Sequence, residues 1–202
     1  IKDGKFTIDG EEYEVTHNEG ETCLHGGGEC STTVWRGIIV DDNKVEFSFF
    51  SPDGSNGFPG NMNVTVTYTL DDRNALSIEY SGVSDKKTIM NFTNHAYFNL
   101  GGFDSGSICD HELYIDADYF TPIDADSIPT GELKAVEGTP FDFKTPKKIG
   151  ENIHDDYEQL NLARGYDHNF CLNKKDDKSA NVIAYDEKSG RVMEMFTDLP
   201  GV

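Results

Sequence analysis

The chain has 202 residues, 36% of them hydrophobic and 11% aromatic, which is enough to bury a substantial core and excludes disorder along its whole length. Its 37 acidic and 17 basic side chains give a formal charge of −20, which argues against nucleic acid, anionic membranes and phosphorylated substrates as partners and reads as a solvated surface. No run of about 18 apolar residues is present, so no transmembrane helix is expected.

Ile1-Lys2-Asp3-Gly4 leads straight into alternating sequence without a signal-peptide pattern, and a first residue other than methionine suggests an N-terminus that has been removed. Residues 5–8 (KFTI) and 12–15 (EYEV) flank Asp9-Gly10, a dipeptide suited to the positive φ angles of a tight hairpin turn. Leu24-His25-Gly26-Gly27-Gly28 comes next, its glycines permitting close backbone approach and unusual dihedrals. It lacks the downstream Gly-Lys-Ser/Thr of a phosphate loop, and the alternative to a site is a flexible turn beside a surface histidine. Strands are expected at 34–40 and 45–50, followed by a long loop at 51–60 (SPDGSNGFPG). In residues 63–70 (NVTVTYTL), Val64, Val66, Tyr68 and Leu70 alternate with Asn63 and three threonines, as a half-buried strand does. Asp71-Asp72-Arg73-Asn74 then turns the chain, and Leu76, Ile78 and Tyr80 resume the alternation. Asn63-Val64-Thr65 and Asn91-Phe92-Thr93 match the N-glycosylation pattern, but both are read as strand residues.

Residues 93–102 (TNHAYFNLGG) place His95 among amide, aromatic and glycine residues just past a strand-like run. Imidazole changes charge near neutral pH, and the flanking Asn94 and Asn99 are suited to orienting it or to meeting the hydroxyls of a polar ligand. A buried histidine satisfied by backbone is the alternative. Residues 121–140 form a second long loop, and 153–162 offer the one short helix candidate. In Gly165-Tyr166-Asp167-His168-Asn169-Phe170, a carboxylate stands beside aromatic and amide groups, the side-chain types that grip sugar hydroxyls and cover the C–H face of a pyranose. An Asx turn between strands is the other reading of Asp167. Strands at 181–185 and 192–197 follow, and Leu199-Pro200-Gly201-Val202 ends the chain on what reads as an unpaired turn.

The period of two dominates, and the amphipathic crossover helices of a parallel βαβ fold are missing. The expected architecture is therefore an all-β, antiparallel β-sandwich, with residues 1–202 as a single, incomplete domain. Cys23, Cys30, Cys109 and Cys171 form no CxxC pair and read as reduced thiols of a cytoplasmic protein. The six histidines show no zinc spacing, Asp116, Asp118, Asp124 and Asp126 miss the calcium-loop pattern, and no Gly-x-Ser-x-Gly elbow occurs. Neither a metal nor a serine nucleophile is expected.

Six motifs in series, LHGG at 24–27, SPDGSNGFPG at 51–60, NHAYFNLGG at 94–102, FTPIDADSIPTGE at 120–132, TPFDF at 139–143 and YDHNF at 166–170, resemble the aldose 1-epimerase, or galactose mutarotase, family. The resemblance implies a large antiparallel β-sandwich of the galactose-mutarotase type, acting on free aldohexoses without a cofactor. It implies that His95 is the acid that protonates the ring oxygen, that His25 binds and polarises the sugar near the same oxygen, and that Asp167 holds sugar hydroxyls, with Asn94 beside His95. The chain departs from the family where Gly28-Glu29-Cys30-Ser31-Thr32-Thr33-Val34 replaces the usual glycine and aromatic residue before Trp35. The family's general base, a glutamate, belongs C-terminal to the Pro200-Gly201-Val202 turn, and a substrate-binding arginine belongs before Ile1. The expectation is thus a chain truncated at both ends and about 10²- to 10⁴-fold slower than a complete homologue. Glu194, alternating with Val192 and Phe196, reads as solvent-facing rather than as a substitute base. Two alternatives stand beside this reading: a non-catalytic carbohydrate-binding protein of the same fold, and a hexose-phosphate epimerase, which the scarcity of basic residues disfavours.

Overall fold

A computed structural model describes residues 1–173 and 179–202. Their contacts form two compact units, Ile1–His95 and Ala96–Val202.

The first unit opens with a hairpin of β1 (Lys5–Ile8) and β2 (Glu11–Glu14), in which Phe6 lies opposite Tyr13 and the two rings stack 5.5 Å apart. Asp9 and Gly10 both take positive φ, 52° and 86°, as a two-residue turn of this hand requires. A one-turn helix α1 (Glu29–Thr32) precedes a four-stranded antiparallel meander of β3 (Arg36–Asp41), β4 (Lys44–Ser51), β5 (Met62–Leu70) and β6 (Leu76–Ser84). The alternation expected along 63–70 is realised in its first half: Val64 and Val66 are buried while Thr65 and Thr67 point to the other face, and Phe49 of β4 joins the buried side, whereas Tyr68 is half-buried and Leu70 exposed. The turn into β6 is held by Asp71, whose carboxylate accepts from the backbone N–H groups of Arg73 and Ala75.

Asn63 lies in β5 as expected, but Asn91 does not lie in a strand. Residues 87–99, including the strand-like run before His95, belong to no regular element. Alternation suits a residue to an extended backbone, but a strand also needs a neighbour to complete its ladder, and among the described residues no strand pairs with this stretch.

The second unit holds β7 (Glu112–Ile115), β8 (Ala117–Phe120), β9 (Lys134–Ala135), β10 (Lys147–Lys148), α2 (Glu158–Ala163), β11 (Phe170–Leu172), β12 (Val182–Asp186) and β13 (Arg191–Met195). They form two antiparallel sheets, in the orders β10-β7-β12-β13 and β11-β8-β9. The core gathers Ile115, Ala117, Phe120, Val136, Phe141, Phe143, Leu160, Phe170 and Val182, with Phe120 and Phe141 stacked 4.3 Å apart. The all-β antiparallel class read from the sequence is the one observed.

Three local expectations need correction. The helix candidate at 153–162 is helical only from Glu158, because the Asp155 amide turns back onto the Asn152 carbonyl and Tyr157 onto that of Asp155. Within the 121–140 loop, Lys134–Ala135 pairs with β8 and Ile123 bridges to Pro129. The end of the chain is paired rather than free: Phe170 and Val202 exchange backbone hydrogen bonds of 2.7 and 3.1 Å, and Leu172 donates to the Pro200 carbonyl. Glu194 is exposed on β13, as read.

Candidate active site

His25 stands on a turn whose backbone few sequences can adopt. It and the next three residues, Gly26, Gly27 and Gly28, all have positive φ, from 50° to 88°. For the histidine this left-handed conformation costs roughly 1–2 kcal/mol, while the glycines adopt it without a Cβ clash. Within the turn the Gly27 amide donates to the Leu24 carbonyl at 3.0 Å. On the N-terminal side Asn18 fixes Leu24 in both directions, accepting from its amide at 2.8 Å and donating to its carbonyl at 2.9 Å. On the other side, Asn56 from the 51–60 loop donates to the Gly26 carbonyl and accepts from Thr16 Oγ1.

The result is an exposed imidazole carried on a braced turn, and His95 comes to meet it. The two rings lie 5.7 Å apart, centroid to centroid, edge to face at 70°. Both histidines are exposed, so a polar ligand can reach them together, and the buried-histidine alternative for His95 does not hold. Two imidazoles side by side offer ring nitrogens as hydrogen-bonding groups at adjoining points. Asn94, also exposed, immediately precedes His95.

Asn99 does not share this setting. Its Oδ1 accepts from the Gly101 amide and Ser105 Oγ, and its Nδ2 donates to the Gly106 carbonyl, so its side chain is spent on the turn that follows. In the second unit the next residue, Leu100, is anchored at both backbone groups. Its N–H donates to His111 Nε2 at 3.1 Å, and its carbonyl accepts from Ser189 Oγ and Arg191 Nη1.

Asp167 is an exposed residue of the second unit, next to a half-buried His168 whose Nε2 lies 3.1 Å from Gln159 Oε1. The same Gln159 accepts from the Ile123 amide and donates to its carbonyl, which ties α2 to the 121–140 loop below the 166–170 segment. Sequence reading passed over Glu29, Asn56 and Gln159, because nothing in their spacing shows that their partners lie up to 40 residues away.

The family model described as aldose 1-epimerase matches residues 1–202. The chain is 43% identical over 202 residues to the galactose mutarotase of Homo sapiens and 38% identical over 206 residues to the aldose 1-epimerase of Escherichia coli. All of this chain is covered in both alignments, but only 57% and 58% of those relatives, so the chain spans a little over half their length. Among solved structures it superposes on an aldose epimerase homologue from C. elegans with a TM-score of 0.88 at 33% identity, covering all of this chain and 60% of that one. The galactose 1-epimerase of Lactobacillus acidophilus gives 0.83 at 34%, covering 92% and 55%. With one family model matched from the first residue to the last, and with these folds alongside, the chain belongs to the aldose 1-epimerase family.

Proposed function

We propose that the chain carries the proton-donating side of an aldose 1-epimerase that interconverts the α and β anomers of free aldohexoses such as glucose and galactose. The observation that carries this reading is the pairing of His25 and His95, two exposed imidazoles 5.7 Å apart, the first of them on a braced turn. Relatives named galactose mutarotase and aldose 1-epimerase support it. The single family match over 1–202 supports counting both units as parts of one domain.

Ring opening breaks the bond between C1 and the ring oxygen. The bonding pair goes to that oxygen, which takes a proton, while the anomeric hydroxyl loses one and becomes the carbonyl. His95 gives the proton to the ring oxygen. His25 donates a hydrogen bond to the same oxygen and withdraws charge from it as the bond lengthens. Asn94 and Asp167 hold the other hydroxyls, the carboxylate as acceptor and the amide as either partner. Rotation about C1–C2 then presents the other face of the carbonyl, and closure returns each proton by the reverse path. The base that takes the anomeric proton is assigned to no residue of this chain. The sugar is the partner, no cofactor takes part, and the four free cysteines support a cytoplasmic setting.

Polarimetry of freshly dissolved α-glucose or α-galactose tests the reading in the full gene product. His95→Asn should slow mutarotation about 10²- to 10⁴-fold, the usual cost of removing a positioned acid. An unchanged rate would sink the assignment. Calorimetric binding of the sugar without any acceleration would instead make the protein a carbohydrate binder.

A further inference from the structure

We propose that Glu29 is a positioning residue for His25, its carboxylate clamping the histidine-bearing turn to the 51–57 segment. Glu29 Oε2 accepts from Ser51 Oγ at 2.7 Å, and Oε1 accepts from Ser55 Oγ at 2.6 Å. Both distances are in the range of charge-assisted hydrogen bonds, which are about twice as strong as neutral ones. An ionised carboxylate can only accept, and here each of its oxygens has been given a hydroxyl.

The two serines differ in what they bring. Ser51 is buried, ends β4, and sits opposite Met62 of β5, so it belongs to the rigid sheet. Ser55 starts a short 3-10 turn whose Asn56 reaches the Gly26 carbonyl. The 51–57 segment therefore grips the turn at two points, through Asn56 at Gly26 and through Glu29 just past Gly28.

Such a grip is needed because three glycines in a row are expensive to order. Fixing a residue's backbone costs about 1–2 kcal/mol, and glycine loses more freedom than any other residue. The Asn56 bond to Gly26 is long, 3.3 Å, and cannot hold the C-terminal side of the turn alone. Glu29 follows the run directly and opens α1, whose Thr33 amide returns to the Glu29 carbonyl at 2.9 Å. Beyond it, Trp35 Nε1 donates to the Cys30 carbonyl and the indole packs on Phe49 at 4.5 Å, closing the segment onto β4.

The inference rests on the role proposed for His25, and the experiment separates the two. In the full gene product, Glu29→Ala should speed hydrogen exchange of the Gly27 amide about ten- to hundredfold, with β5 amides unchanged. Ser55→Ala, which removes one of the two bonds and spares the carboxylate, should give a smaller increase. Glu29→Gln keeps one acceptor and gains a donor for the second serine, so it should restore most of the protection. Mutarotation kcat/KM should fall about tenfold in Glu29→Ala and recover in Glu29→Gln. In a His25→Ala background Glu29→Ala should cost nothing further. Unchanged Gly27 exchange in both Glu29→Ala and Ser55→Ala overturns the clamp, and additive losses in the double variant overturn its action through His25. Faster exchange in a protein that accelerates no aldose upholds the clamp and overturns the epimerase reading.

Discussion

The His168 imidazole lies edge-on to Phe141 at 4.7 Å and to Phe120 at 5.6 Å, against the aromatic core of the second unit. An amide oxygen only accepts, so the contact with Gln159 Oε1 places a proton on Nε2 and leaves Nδ1 as the site where a second would add. That nitrogen is buried and has no hydrogen-bond partner among the described residues. Burial accordingly holds the His168 pKa below the ordinary histidine value, with the neighbouring Asp167 pulling weakly the other way. A base with a depressed folded pKa stays neutral while the unfolded chain takes up a proton, so its contribution is intact above the unfolded value near 6.5 and is lost as pH falls toward the lower folded one. Urea midpoints should therefore drop between about pH 7 and pH 5, and His168→Phe, which keeps the ring packing, should flatten that part of the profile. It should cost about 1 kcal/mol at pH 8 for the lost hydrogen bond. An identical pH profile would show that His168 does not titrate between the two states. The sequence singled out Asp167 as site-like and gave its neighbour His168 no role. Their different exposures depend on which side of residue 167 the core lies, which no local pattern states.

At the scale of elements, period-two alternation located most of the strands, and turn chemistry located the β1–β2 and β5–β6 hairpins, because both signals are local. What local pattern could not supply is whether a ladder partner exists, which is why Asn91 was misplaced, or how two loops interlock. The 51–57 segment is the instructive case, read from sequence as a long loop and found wedged against β2. Gly57, with φ of +85°, lies so close that a Cβ there would stand 2.0 Å from the Glu14 carbonyl oxygen and 2.8 Å from Val15 Cα. These are backbone atoms that cannot rotate away, and the left-handed φ adds strain of its own. Gly57→Ala should consequently destabilise the protein by about 2–4 kcal/mol, measured by urea unfolding, and should loosen the Thr16 amide that donates to the Asn56 carbonyl. A loss below about 0.5 kcal/mol would mean that the loop and β2 can separate freely.

For the molecule as a whole, the antiparallel all-β class was legible because one period runs through most of the chain. The division into two units was not, since it is a property of long-range contacts. The charge was legible but its cost was not. With 37 acidic and 17 basic side chains, a net charge of −20 compressed into a folded chain repels itself more than it does in the expanded unfolded state. Ion pairs work in the opposite direction, but those described, such as Lys5–Glu12 at 3.2 Å, Lys87–Asp9 at 2.6 Å and Lys188–Asp110 at 2.9 Å, are solvent-exposed. Exposed pairs contribute about 0–1 kcal/mol each, and salt screens them as it screens the repulsion. The repulsion involves many more charges at longer range, which is where screening acts most strongly. Between 10 and 150 mM NaCl the screening length shrinks from about 30 to about 8 Å, while the salt remains too dilute to act by exclusion from the surface. Thermal unfolding at pH 7.5 should therefore shift upward by about 3–6 °C across that range, equivalent to roughly 1–2 kcal/mol for a chain of this size. A downward shift would mean that the local ion pairs outweigh the excess of carboxylates. Neutralising one exposed acid that has no salt bridge among the described residues, such as Asp72→Asn, should then raise the low-salt Tm but leave the high-salt Tm nearly unchanged.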